Sequence, residues 1–163
     1  MQNGTMNHDN EFRICEALPT DIEALVALRC AEQREIYPDA AEPPAFRSEF
    51  SDYLRRAVAD PDTIVIVCRR KADDAVVATL SASIEHQPPQ FVDNGVYDYL
   101  CNAYTHPKYR RRRLLERMYD RIVPLLRERQ ATALYADSIV PAIHAFLQRR
   151  GWTRRHDYLS RYF

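Results

Sequence analysis

The stretch from Tyr99 to Met118 constrains the fold of this chain more than any other. It begins with a mostly apolar and aromatic run, Leu100 to Thr105, which is typical of a buried strand. His106-Pro107 then ends the strand, because proline has no N–H to give to a sheet ladder. Four arginines, Arg110 to Arg113, follow, and a helical pattern of apolar residues comes after them. The first turn of a helix has unpaired N–H groups and a partial positive charge, so the sequence predicts an anion site between this strand and this helix.

Size and charge limit the classes of protein to which the chain can belong. It has 163 residues, 46% hydrophobic and 28% charged, which suits one globular domain with a sizeable core. The formal net charge is zero, so any basic site must be local, and the composition does not favour a nucleic-acid partner. No apolar run approaches ~18 residues, so we expect no membrane span and no membrane partner.

The N-terminus and the cysteines suggest a compartment. The first residues are polar and have no apolar core of a secretory signal, so we expect a disordered tail over residues 1–11. The four cysteines lie far apart and form no C-x-x-C pair, which is typical of free thiols in a reducing environment. The sequence therefore predicts a cytoplasmic protein with one domain over residues 12–163.

Hydrophobic periodicity predicts the element order β-α-α-β-β-β-α-β-α-β. The capping box Thr20-x-x-Glu23 is expected to open the first helix. In the helix predicted over 112–127, Pro124 is expected to cause a bend or an early end. The predicted strands are Phe12 to Leu18, Thr63 to Cys68, Ala75 to Ile84, Tyr97 to Thr105, Ala131 to Ala136 and Tyr158 to Phe163.

Two motifs in this order carry a resemblance to a known family. Tyr104 to Arg110, followed by a helix, resembles the fourth strand and coenzyme A loop of the GNAT N-acetyltransferases, whose signature R/Q-x-x-G-x-G/A would begin at Arg110. Pro141 to Trp152, PAIHAFLQRRGW, resembles the family's P-A-A-x-x-F-Y-x-x-x-G-F. The resemblance covers about Phe12 to Phe163 and implies a single-domain α/β GNAT fold with a mixed, mostly antiparallel sheet flanked by helices.

The chain departs from the family pattern at residues that matter for binding and proton transfer. Arg111 stands at an often-glycine position, Arg113 at the first signature glycine and Leu115 at the second Gly/Ala. Glycine at such positions lets the backbone approach a pyrophosphate without a Cβ in the way. Val140 stands where relatives often have asparagine, and Leu147 where they often have a proton-donating tyrosine.

The resemblance implies a set of site residues. Asn102 would hold a water or the acetyl oxygen, with a structural polar side chain as the alternative. Tyr104 and Tyr158 are candidates to replace the missing proton donor by residue type only. Strand alternation predicts that Asn102 shares a face with Asp98, Leu100 and Tyr104. The candidate bases are Glu85, Asp98 and Asp137, each of which has a solvated or capping role as its alternative; Ser138 would contact the cofactor or cap the last helix. The implied acetyl-CoA-binding residues are Ala103, Tyr104, Thr105, Arg110, Arg111, Arg112, Arg113, Leu114, Leu115 and Ser138.

Two functions remain open at the level of sequence. One is transfer of an acetyl group from acetyl-CoA, as cosubstrate, to a primary amine of an unidentified substrate. The other is a catalytically degenerate GNAT domain that acts as a coenzyme A sensor or a protein-interaction module. No metal is expected, because the histidines show no ligand spacing. The resemblance alone implies a homodimer paired through sheet edges; the short aromatic edge strand Tyr158 to Phe163 would either pair with a second copy or be covered within the chain.

Overall fold

The computed structural model describes residues 11–89, 91, 94–138 and 140–154. The predicted element order is confirmed through the last helix, while the predicted final strand and the tail before Glu11 lie outside the described residues. The elements are β1 Phe12–Glu16, α1 Ile22–Ile36, α2 Phe46–Ala59, β2 Thr63–Arg70, β3 Val76–His86, β4 Val96–Thr105, α3 Leu114–Glu128, β5 Ala133–Ala136 and α4 Pro141–Arg149.

The described strands form one five-stranded sheet in the order β1-β2-β3-β4-β5. β1 to β4 are antiparallel neighbours, and β5 lies parallel to β4. This confirms the predicted mixed, mostly antiparallel sheet. A parallel pair needs a crossover connection, which α3 supplies between β4 and β5.

The face of the sheet that contacts α3 is the larger apolar core. Strand alternation brings Ile64 and Ile66 of β2 and Leu80 of β3 to this face. α3 covers them with four residues on one helical face, each at most 2% exposed: Leu114, Met118, Ile122 and Leu126. This packing positions the N-terminus of α3 beside the end of β4.

The opposite face packs against α1 and α2. Val65 and Val67 of β2 contact Leu25 and Val26 of α1 and Leu54 of α2. Towards β4 this face becomes polar, with buried Thr79 and Ser81 on β3. Thr79 Oγ1 donates to the carbonyl of Ile66 over 3.1 Å, so this hydroxyl is satisfied inside the layer.

Two predictions about helix starts and breaks can be compared with the structure. The capping box at Thr20 is wrong: α1 begins at Ile22 after a turn, and Asp21 precedes it. Asp21 accepts from the backbone N–H of Leu18 at 2.7 Å and pairs with buried Arg69, so tertiary contacts set this helix start. Of the two outcomes expected at Pro124, the early end is wrong, since α3 continues to Glu128; Ile122 and Leu126, on either side of the proline in sequence, are fully buried, while Pro124 itself is exposed. The bend stays a prediction.

A bulge in β4 overturns the predicted face of Asn102. Two residues, Asn102 and Ala103, lie opposite Leu80 of β3, and Asn102 has a left-handed φ of 50°. The extra residue shifts the two-residue period by one. Leu100 and Ala103 therefore belong to the α3 side, while Asn102 and Tyr104 line a cavity on the α1 side. Asn102 shares a face with Tyr104, as predicted, but not with Asp98 or Leu100.

Within the described ranges, no helix has the length and apolar character needed to cross a lipid bilayer.

Candidate functional site

The outer edge of β4 is open over its second half. β5 pairs with β4 only from Tyr97 to Leu100, and the last pair is Leu100 with Ala136. In the described part of the chain, the segment Cys101 to Thr105 has no strand partner on that side. Its backbone N–H and C=O groups can therefore pair with an extended ligand, as at other exposed sheet edges.

A groove of about 510 Å³ runs beside this open edge. It lies between β4, the loop after it, the N-terminus of α3, the end of α1 and one side of α4. Arg112 and Ser138 do not line it, and Asn102 lines a neighbouring narrow cavity instead. The predicted cofactor residues that do line the groove are Ala103, Tyr104, Thr105, Arg110, Arg111, Arg113, Leu114 and Leu115.

The loop before α3 keeps a glycine-type backbone without glycine. Arg111 has φ 63° and Arg113 has φ 57°, both in the left-handed region. For a residue with a Cβ this conformation costs roughly 1–2 kcal/mol. The two arginines thus adopt a backbone shape that glycine would adopt without this cost. Arginine side chains therefore stand where the family signature has glycine, but the backbone of the loop still turns into the N-terminus of α3.

The four consecutive arginines have different partners. Arg110 donates to Glu35 at 2.6 Å and to the carbonyl of Thr105 at 3.0 Å. Arg112 pairs with Glu11 at 2.7 Å and lies over the ring of Phe12, which draws it away from the groove. These two side chains therefore hold the loop in place.

Of the other arginines in or beside the groove, two are paired with a carboxylate and two are available to an anion. Arg113 Nε donates to Glu116 at 2.5 Å, and Arg150 reaches the same carboxylate at 3.1 Å. The hydrogen bond from Arg113, with the charge of Arg150 beside it, lowers the pKa of Glu116. Exposed Arg111 and Arg149 have no ion-pair partner among the described residues. Together with the first-turn N–H groups of α3, they suit a phosphate-bearing ligand.

Tyr104 joins β4 to α1 at the other end of the groove. Its hydroxyl donates to Glu35 Oε1 at 2.6 Å, and Arg110 stacks over its ring. Burial, reinforced by the bond to Glu35, raises the pKa of Tyr104 to about 12. Burial would raise the pKa of Glu35, but the hydrogen bonds from Tyr104 and Arg110 outweigh it and lower that pKa. Tyr104 is therefore protonated at neutral pH, with its proton directed at Glu35; its role as proton donor stays a prediction.

The predicted bases do not line the groove. Glu85 and Asp137 are exposed. Asp98 is fully buried on the α3 side, and neither of its carboxylate oxygens has a hydrogen-bond partner. Burial raises the pKa of Asp98 to about 6. Tyr158, the alternative proton donor, lies outside the described residues.

α4 contributes a largely apolar wall to the groove. Val140, Ala142, Ile143 and Phe146 line it, while Leu147 is buried in the core. Ser138 Oγ accepts from the backbone N–H of Val140, the residue just before α4, at 3.1 Å, and no side chain caps the N-terminus of the helix among the described residues. Among the described residues of this wall, only Arg149 carries an N–H or O–H proton on its side chain, and a guanidinium does not deprotonate, so it could not protonate a leaving thiolate.

Sequence reasoning missed two carboxylates on α1. Glu32 and Glu35 lie one turn apart and both line the groove. Arg29, one turn earlier, donates to Glu32 at 2.5 Å. The signal in the sequence is that Arg29, Glu32 and Glu35 are spaced to lie along one side of the helix. Charged residues with this spacing are equally typical of an ordinary solvated helix face, so the spacing alone does not indicate a site.

Comparison with known proteins agrees with this geometry. The family model described as Acetyltransferase (GNAT) family matches residues 23–152. A search of curated protein sequences finds no significant match.

Solved structures share the fold at low sequence identity. A predicted acetyltransferase from Clostridium acetobutylicum, solved with acetyl-CoA, has a TM-score of 0.79 at 20% identity, over 93% of this chain and 96% of that one. A GCN5-related N-acetyltransferase from Ralstonia eutropha JMP134 gives 0.79 at 20% identity, over 93% and 98%. Glucosamine-6-phosphate N-acetyltransferase from Arabidopsis thaliana gives 0.72 at 15% identity, over 93% and 98%.

Proposed function

Since the chain belongs to the GNAT acetyltransferase family, we propose that it transfers the acetyl group of acetyl-CoA to a primary amine. One observation carries the proposal: a single groove joins the open edge of β4 to the basic turn at the N-terminus of α3. An extended chain that ends in phosphates, as in coenzyme A, matches both parts of this groove.

The residues divide the work of binding along the groove. The backbone of Ala103, Tyr104 and Thr105 would pair with the amide-bearing arm of coenzyme A. Arg111 and Arg149, with the first turn of α3, would bind its phosphates. This places the thioester near the bulge of β4, so the acceptor amine would approach from the α1 side, past Tyr104.

Thermal unfolding with and without acetyl-CoA tests the binding step. A ligand at ~100 times its Kd adds ~2.7 kcal/mol, which for a domain of this size is a shift of roughly 5–10 °C. Arg111→Ala combined with Arg149→Ala should remove most of the shift. Arg127→Ala, an exposed arginine on α3 that does not line the groove, is the matched control and should keep it. No shift for the wild type at millimolar acetyl-CoA would overturn the proposal.

A second candidate is favoured by the apolar wall of α4. With Val140, Ile143 and Phe146 on this wall in place of a proton donor, the domain would bind coenzyme A as a sensor without turnover. Release of free thiol from acetyl-CoA in the presence of amines separates the two functions. Thiol release that depends on amine supports the enzyme, binding without thiol release supports the sensor, and neither effect would point to a protein-interaction module.

A further inference from the structure

Glu32 occupies a distinctive position in the site. Of the carboxylates in the described ranges, it alone lines both the groove and the narrow cavity that contains Asn102. Its side chain is 13% exposed. Glu32 therefore lies where β4 separates the acetyl-CoA groove from the space under α1 and α2.

We propose, resting on the acetyltransferase function proposed above, that Glu32 is the general base that takes the proton of the acceptor amine. The acceptor then reaches the thioester from the α1 side of β4, between Glu32 and Tyr104. This gives the site a base that sequence comparison with the family motif did not reveal, because Glu32 lies on α1 and outside both motifs.

The surroundings of Glu32 suit a base. Burial raises its pKa, an effect that the charge and hydrogen bond of Arg29 oppose and the nearby charge of Glu35 reinforces. Glu35 is less suited to act as the base, because its carboxylate already accepts hydrogen bonds from Tyr104 and Arg110, which lower its pKa. The charged and titratable groups around Glu32 and Arg29 are Glu35 on α1, Tyr53 on α2, Cys101 and Tyr104 on β4, and Arg110 in the loop.

The step balances without any further reactant. The neutral amine nitrogen attacks the thioester carbonyl carbon, and a C–N bond forms. The nitrogen of the adduct becomes positively charged and acidic, and its proton passes to the Glu32 carboxylate. The C–S bond then breaks with its electron pair on sulfur. The proton on Glu32 passes through water to the thiolate, which restores the carboxylate and yields the amide and free coenzyme A.

The test measures kcat against pH with spermidine, tryptamine and glucosamine 6-phosphate, three primary amines of different charge and shape. Glu32→Gln should lower kcat by ~100-fold or more, because a general base contributes 10²–10⁴-fold. It should also remove the limb of the pH profile that reports deprotonation of Glu32. Binding of acetyl-CoA, followed by thermal shift, should stay within about twofold of the wild type. Glu23→Gln, an exposed carboxylate at the start of the same helix, is the matched control.

A second variant separates chemistry from folding. Arg29→Gln breaks the same ion pair but leaves the carboxylate, so it should move the acid limb of the profile to higher pH, because Arg29 holds the pKa of Glu32 down. If the two variants instead lose activity equally and with unchanged profiles, the pair is structural and the inference is overturned.

The outcomes also separate this inference from its premise. A wild type that acetylates none of the amines overturns the proposed function and, with it, the role of Glu32. A wild type that acetylates an amine, with Glu32→Gln matching it in kcat and in pH profile, overturns the role of Glu32 alone.

Discussion

The two faces of the sheet are built differently. The α3 face is apolar except at Asp98, with fully buried Met118, Ile122 and Leu126. The α1 face is apolar beside β2 but polar beside β4, where it carries Ser81, Asn102 and the pair Arg29–Glu32. The difference indicates that the α3 face supplies most of the stability. The α1 face has less apolar packing beside β4 and has polar groups there that could contact a substrate.

The bulge in β4 connects the two faces. It sends Ala103 towards the α3 side and Asn102 towards the α1 side, at the level where β5 has stopped pairing with β4. An open edge and a bulge both remove hydrogen bonds between strands, so they weaken the sheet. The same features leave backbone groups of β4 available to a ligand. The four experiments below test this contrast, in order of expected effect.

Met118→Ala should have the largest effect. Met118 is fully buried on the α3 face, and removing such a side chain typically costs ~2–5 kcal/mol. Ser81→Ala, at a buried position on the polar face, should cost ~1 kcal/mol, since only a hydroxyl is removed. Urea unfolding measures both free energies. Equal losses would contradict the assignment of the stabilising role to the α3 face.

Asp98 is a buried carboxylate on the otherwise apolar α3 face, so the stability of the protein should depend on pH through its titration. Its pKa, raised by burial from 3.8 to about 6, means that the folded state binds its proton more tightly than the unfolded state. This contribution to stability is fully present below pH 3.8 and is lost as pH rises through 6. At pH 7.5, Asp98→Asn should raise the free energy of unfolding by on the order of 2 kcal/mol.

In the wild type, titration of Asp98 makes the free energy of unfolding fall between about pH 4 and pH 6, and Asp98→Asn should lose this part of the pH dependence. Denaturant titrations of both proteins across ~pH 3.5–7.5 measure the two slopes of free energy against pH. The exposed carboxylate Asp137, changed to asparagine, is the control and should leave the slope in place. Identical slopes for wild type and Asp98→Asn would refute the account of a buried, unpaired carboxylate.

Arg111 tests the loop that leads into the α3 face. Arg111→Gly and Arg111→Ala remove the same charge, but only glycine relieves the left-handed backbone. The glycine variant should be more stable than the alanine variant by ~1 kcal/mol, measured by thermal unfolding. Both should bind acetyl-CoA more weakly than the wild type, by roughly tenfold, because a charge-assisted contact is lost. Equal stability of the two variants would mean that the loop relaxes out of this conformation.

Glu35→Gln should have the smallest effect. Its ion pair with Arg110 links α1 to the loop, but the two side chains are 40% and 44% exposed. Pairs exposed to this degree contribute ~0–1 kcal/mol, so the melting temperature should fall by no more than a few degrees. A loss as large as that of Met118→Ala would make this contact a main support of the fold and remove the contrast between the faces.

Local patterns were sufficient to predict most of the architecture. The element order through α4, the central strand, the strand–loop–helix arrangement and the GNAT family follow from periodicity, turn residues and two motifs, each of which depends on near neighbours in the chain. The errors at Thr20 and in the early helix end at Pro124 arose where tertiary contacts outweighed a local preference: Asp21 pairs with Arg69, and Ile122 and Leu126 of α3 are fully buried on the sheet, with exposed Pro124 between them.

The sequence by itself therefore determined which of the described elements form and that a basic loop leads into α3, because hydrophobic period and helix-end chemistry are properties of short segments. Only the tertiary structure decided which arginines are available, since Glu35 and Glu11 engage Arg110 and Arg112 from distant segments. It also decided the face of Asn102, because a bulge depends on the register with β3. The position of Glu32 between two cavities likewise exists only once α1 packs beside β4.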